Sequence, residues 1–121
     1  MVIVGHQWWW EARYMRSQVV AANEIHIPVG ELLLVRLESA DVIHDWWVPE
    51  LGRKMDAIPG HANLFWLKDH VPGTYMGTCS EYCGAEHACM RISSASGTAA
   101  CVTVCPTIRF WILRDENTPT Q

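Results

Sequence analysis

The stretch Cys79–Met90, CSEYCGAEHACM, decides how this chain is read. Cys79, Cys83 and His87 follow one another at intervals of four residues, and Met90 comes three residues later. That spacing fits one face of a helix, a zinc knuckle, a redox dithiol or a loop wrapped around a soft metal. Gly84 interrupts a helical stripe, and glycine is unfavourable inside a helix. The flanking sequence is dense in β signals, which favours the loop.

Short β-rich runs alternate with turn residues at intervals of about 8–12 residues, the mark of a sandwich or barrel. Val2–Trp10 is apolar and aromatic, and Val19–Pro28 reads as one strand ending at Pro28-Val29-Gly30. In a strand, Trp8 and Trp10 share one face and Trp9 takes the other. Leu32–Glu38 alternates, with Leu33, Val35 and Leu37 on one side. Asp41–Val48 is a further strand closed by Pro49, while Asn63–Lys68 and Thr74–Thr78 flank the turn pair Pro72-Gly73. Ser93–Ala100 is loop-like, Ala100–Val104 and Ile108–Leu113 resume apolar runs, and the tail after Asp115 is polar.

The chain of 121 residues suffices for one domain with its own core. Half of it is hydrophobic and only 18% is charged, which argues against disorder. A net charge of −4 argues against nucleic-acid binding. No apolar run reaches the roughly 18 residues of a membrane span. The start lacks the basic region and cleavage site of a signal peptide. The chain is therefore expected to be soluble as given and to begin inside a domain.

Five cysteines cannot all pair within one chain. Structural zinc sites use paired knuckles, and methionine is a poor zinc ligand. A redox dithiol would be C-x-x-C beside a βαβ pattern, and neither occurs. Thiolate, imidazole and a weak thioether are the blue-copper set. A single copper needs one cysteine, which leaves Cys83 unexplained. Two coppers bridged by two thiolates explain it. Each metal then needs one imidazole, and His44, in DVIHDWWVP (Asp41–Pro49), is the distant candidate. Sharing one electron over two coppers also reduces the bond-length change at each.

The segments GHQWWWE (Gly5–Glu11), DVIHDWWVP (Asp41–Pro49), KMDAIPG (Lys54–Gly60) and PGTYMGTCSEYCGAEHACM (Pro72–Met90) together closely resemble the copper A domain of cytochrome c oxidase subunit II. The resemblance runs from about Gly5 to Arg91, in order and spacing. It implies an all-β, cupredoxin-like Greek-key barrel or sandwich carrying a binuclear copper centre. Cys79 and Cys83 would be the bridging thiolates, and His44 and His87 the terminal imidazoles. Met90 and the backbone carbonyl of Glu81 would be weak axial ligands. Trp8 matches the tryptophan through which electrons enter, and Asp41 an acid that helps dock a basic c-type cytochrome. The Glu81 side chain would face subunit I, where the family holds magnesium. The implied role is to accept electrons from a c-type cytochrome and pass them to haem a in subunit I. The implied place is the periplasmic or intermembrane side of a membrane complex.

Other readings are a nitrous-oxide-reductase-like copper A domain, a copper-binding or assembly module without redox flux, and a structural zinc domain. GHQWWWE and the position of Glu81 argue against the first. The family's transmembrane hairpin is not in the sequence. Residues 1–121 are expected to form a single domain with an atypical segment 92–121, where the resemblance weakens and Phe110 and Trp111 are adjacent. Arg13 stands where many relatives carry an acid. Asp41 and Asp45 read as solvated loop acids. Met15, Met55 and Met76 read as packing residues, and His6, His26, His61 and His70 as structural or exposed. Cys89 is expected to face away from the site. Cys101 and Cys105, about 13 Å apart if extended, are expected to be free thiols.

Overall fold

The computed structural model describes residues 1–96. The strands among them are β1 (Val2–His6), β2 (Trp9–Tyr14), β3 (Val19–Ala22), β4 (Glu24–Ile27), β5 (Leu33–Ser39), β6 (His44–Val48), β7 (Arg53–Ala57), β8 (Asn63–Leu67), β9 (Gly73–Cys79) and β10 (Arg91–Ser96). One sheet runs β3-β2-β1-β5-β8 and the other β4-β10-β9-β6-β7. This is the all-β, cupredoxin-like sandwich the sequence predicts. No described helix is long and apolar enough to cross a membrane. The expectations for Cys101, Cys105, the later apolar runs and the polar tail fall outside the described residues.

Period-two alternation builds the core between the sheets. Ile3, Trp10, Ala12, Val35, Leu37, Phe65 and Leu67 point in from the first sheet. Ile25, Ile27, Trp46, Val48, Ala57 and Ile92 meet them from the second. Trp46 of β6 lies across the gap from Phe65 of β8, with ring centroids 5.2 Å apart. Truncating so large a buried side chain costs about 3–5 kcal/mol. Gly77 of β9 is fixed by packing, since a side chain there would meet the Trp47 carbonyl oxygen at 2.5 Å.

Several elements differ from the sequence reading. The run Val2–Trp10 folds back at Gln7-Trp8, so Trp8 sits in a turn and does not share a strand face with Trp10. β1 then pairs antiparallel with β2, His6 opposite Trp9 and Gly5 opposite Trp10. The expected single strand Val19–Pro28 breaks at Asn23, whose φ of 57° is left-handed. The two halves enter different sheets. β6 begins only at His44, because Asp41 turns the chain with its own carboxylate, accepting from the Val42 N–H. Asp45 is no solvated loop acid: it is 6% exposed, in β6. Met15 and Met76 are exposed rather than packed.

Ser93–Ser96, expected in a loop, continue β10, which pairs antiparallel with β9 and parallel with β4. Two unbranched polar residues thereby enter the interior. Ser93 and Ser94 are buried, and neither hydroxyl has a partner among the described residues. An orphaned buried hydroxyl costs about 1–3 kcal/mol. Ser94→Ala should therefore stabilise the domain by about 1 kcal/mol in urea unfolding; a loss of stability would mean that the hydroxyl is satisfied.

Candidate metal centre

Two separate segments, the start of β6 and the loop after β9, bring the sulfur and nitrogen donors together at one end of the sandwich. Cys79 closes β9, and its N–H donates to the Met90 carbonyl at 3.0 Å, so the loop leaves and returns at one point. Between them the chain makes a short 3-10 turn, His87–Cys89, tied by His87 N–H to the Gly84 carbonyl and Met90 N–H to the His87 carbonyl. The loop is therefore not a helical stripe. It wraps inward, burying Cys79, Cys83 and Met90 and leaving Cys89 exposed.

The sulfurs of Cys79 and Cys83 lie 3.8 Å apart. Nδ1 of His44 is 3.9 Å from the Cys79 sulfur, and Nδ1 of His87 is 3.4 Å from the Cys83 sulfur. The Met90 sulfur approaches Cys83 at 3.7 Å, and the Glu81 carbonyl oxygen approaches Cys79 at 3.1 Å. His44, Cys79 and Cys83 alone place one donor atom each within 4.8 Å of the others. The other three positions named from the sequence, Glu81, His87 and Met90, each touch one of the two thiols. Two thiols, two imidazoles and a thioether form a soft set, better suited to copper than to zinc.

His44 is fully buried and reaches the loop from the neighbouring strand. β6 lies beside β9 with Trp46 opposite Cys79. Its Nε2 meets the Asp41 carboxylate at 2.7 Å. That contact fixes the ring and leaves the Nδ1 lone pair turned toward sulfur. Asp41 also accepts from the Gln7 backbone N–H at 2.7 Å. Its sequence reading as a freely solvated acid misses these contacts; the signal available was an acid three residues before a histidine, in a turn. Burial opposes the Asp41 carboxylate, yet the hydrogen bonds from His44, Gln7 and Val42 outweigh it and hold its pKa below the usual range. For His44, burial is overcome by Cys79 and Asp41, and its pKa is raised.

The β1–β2 turn supplies the lid. The Trp8 indole N–H and the Gln7 side-chain amide both donate to the Cys83 carbonyl, at 3.1 and 2.9 Å. Gly84 is required beneath them. Its φ is +122°, and a side chain there would meet Trp8 Nε1 at 3.0 Å. Gln7 was not singled out from the sequence, where a polar residue before three tryptophans carries no distinct signal. Tyr82 is exposed, with its ring 5.7 Å from that of His87. Asp45, beside His44 in sequence, faces away toward Lys54, whose ammonium is 3.6 Å from its carboxylate. Burial raises the Asp45 pKa, with Lys54 opposing.

The two thiols titrate far apart. Burial works against the Cys79 thiolate, but hydrogen bonding to His44 and to backbone groups outweighs it, and the pKa falls to about 7. Burial and the Cys79 charge push Cys83 up to about 12. In the metal-free protein, thiolate absorbance near 240 nm should show one group titrating about pH 7 that is lost in Cys79→Ser. Two thiolates from this pair at neutral pH would contradict the coupling.

A family profile described as cytochrome c oxidase subunit II, periplasmic domain, matches residues 15–96. Cytochrome c oxidase subunit 2 of Alkalihalophilus pseudofirmus is 43% identical over 88 residues, which is 73% of this chain and 26% of that protein. The chain spans at most about half the length of the curated relatives it matches. The periplasmic domain of subunit II of cytochrome oxidase (CoxB) of Bradyrhizobium japonicum superimposes with a TM-score of 0.76 at 33% identity, covering 79% of this chain and 81% of that one. A further match, with a TM-score of 0.70 at 32% identity and 79% of each chain covered, is a mixed disulfide between a thioredoxin-like protein and a cytochrome c oxidase subunit II. The chain belongs to the family of cytochrome c oxidase subunit II periplasmic domains.

Proposed function

We propose that this chain is the electron-transfer domain of an oxidase subunit II and that its donors hold a binuclear copper centre. Cys79 and Cys83 would hold it as thiolates and His44 and His87 as imidazoles, with the Met90 sulfur and the Glu81 carbonyl as weaker donors. The observation that carries this reading is the pair of sulfurs 3.8 Å apart, each with its own imidazole nitrogen within 4 Å. When bound, the copper pair takes up and releases one electron at a time with little rearrangement.

The chain's own residues organise that transfer. Trp8 links the surface to the site through one hydrogen bond to the Cys83 carbonyl, which supports it as the point where electrons enter. Asp41 keeps a negative charge beside the site, with its side chain 30% exposed. Such a charge attracts a basic c-type cytochrome over a Debye length. The exposed Glu81 side chain is free to face subunit I and to share a magnesium ion there. Electrons pass on to haem a in that subunit, where oxygen reduction and proton pumping occur. The domain stands on the periplasmic or intermembrane side of the membrane complex.

The relative caught in a mixed disulfide with a thioredoxin-like protein bears on assembly. Two thiols this close can oxidise to a disulfide, which cannot hold metal. A thioredoxin-like reductant is therefore a fitting partner before copper loading.

Stopped-flow reduction of the copper-loaded chain by a reduced c-type cytochrome tests the function. Trp8→Leu should slow reduction at least about tenfold, a barrier change of about 1.4 kcal/mol, with an unchanged copper spectrum. An unaltered rate would move the point of electron uptake elsewhere.

A further inference from the structure

We propose that Gly5 is the positioning residue for His44: its missing side chain forms the floor of the slot in which the imidazole lies. This rests on the copper-site reading in so far as His44 is a ligand.

Gly5 is an anomaly by strand chemistry. It lies within β1, the central strand of its sheet. Glycine weakens a strand interior and marks either unusual backbone or a close approach. Gly5 is not among the residues with positive φ, so its backbone would accept a side chain. The reason must be space.

The space is filled by His44. A Cβ built on Gly5 would lie 2.8 Å from His44 Cδ2 and 3.1 Å from its Cγ, with Trp10 Cζ3 at 3.2 Å. Neither side can withdraw easily. Gly5 is held opposite Trp10 on β2 and Ser39 on β5, and its carbonyl accepts from the Ala40 N–H at 2.9 Å. The imidazole is pinned at Nε2 by Asp41, and Trp10 lies across it with centroids 5.8 Å apart at 60°. Gly5, Trp10 and Asp41 therefore make a three-sided cradle. A methyl group at position 5 would tilt the ring and redirect Nδ1 away from the Cys79 sulfur.

A double-mutant cycle tests this on the metal-free chain. Gly5→Ala should lower the thermal midpoint by about 5 °C or more. In the His44→Ala background the same change should be neutral or stabilising, because the overlapping ring is gone. Equal destabilisation in both backgrounds, or failure of the double variant to fold, would overturn the proposal. Copper loading adds the second readout. Gly5→Ala should shift the copper hyperfine pattern, and an unshifted pattern would also overturn the proposal. If the parent chain takes no copper, the metal reading fails, while the cycle still decides whether Gly5 positions His44.

Discussion

The structure turns on two thiols held side by side in a buried pocket. Cys79 and Cys83 are both 3% exposed, with sulfurs 3.8 Å apart. Two anions that close repel strongly in a medium of low dielectric. Without a cation, one thiol ionises near neutrality and the other is driven to about 12. Positive charge at the pocket removes that conflict and makes both thiolates favourable. The remaining donors, two imidazoles, a thioether and a carbonyl, add no further negative charge. The Asp41 carboxylate beside His44 adds to the negative charge, so the pocket favours a bound cation.

The sandwich serves to hold these donors before metal arrives. Cys79 is at the end of one strand and His44 at the start of its neighbour, so sheet pairing sets their separation. The opposite sheet contributes the floor under His44 and the Gln7-Trp8 turn that clamps the Cys83 carbonyl. Donors fixed from both sheets cannot relax far when a metal changes oxidation state. That rigidity is what low reorganisation in electron transfer requires, and it follows from packing rather than from the loop alone.

Much of the site was legible because its signals are chemical. Paired cysteines, a histidine and a methionine in twelve residues admit few metals, and the surplus thiol called for a second imidazole elsewhere. Local geometry was less legible where side-chain type does not reveal the turn. Gln7-Trp8 turns inside an aromatic run with no proline or glycine after Gly5. Asn23 breaks a strand whose apolar pattern continues past it. β10 persists through Ser93–Ser96 because its neighbours β4 and β9 supply backbone partners that override polar composition. Asp45 is buried by Lys54 and the pairing of β6 with β7, contacts that no local pattern encodes.

We propose that these donors serve two metal ions and not one. Electron paramagnetic resonance of the copper-loaded, singly oxidised chain, with copper counted per chain, tests it most directly. Two coppers per chain are expected, with hyperfine structure from one electron shared equally over both nuclei. A single copper with four-line hyperfine structure would contradict it.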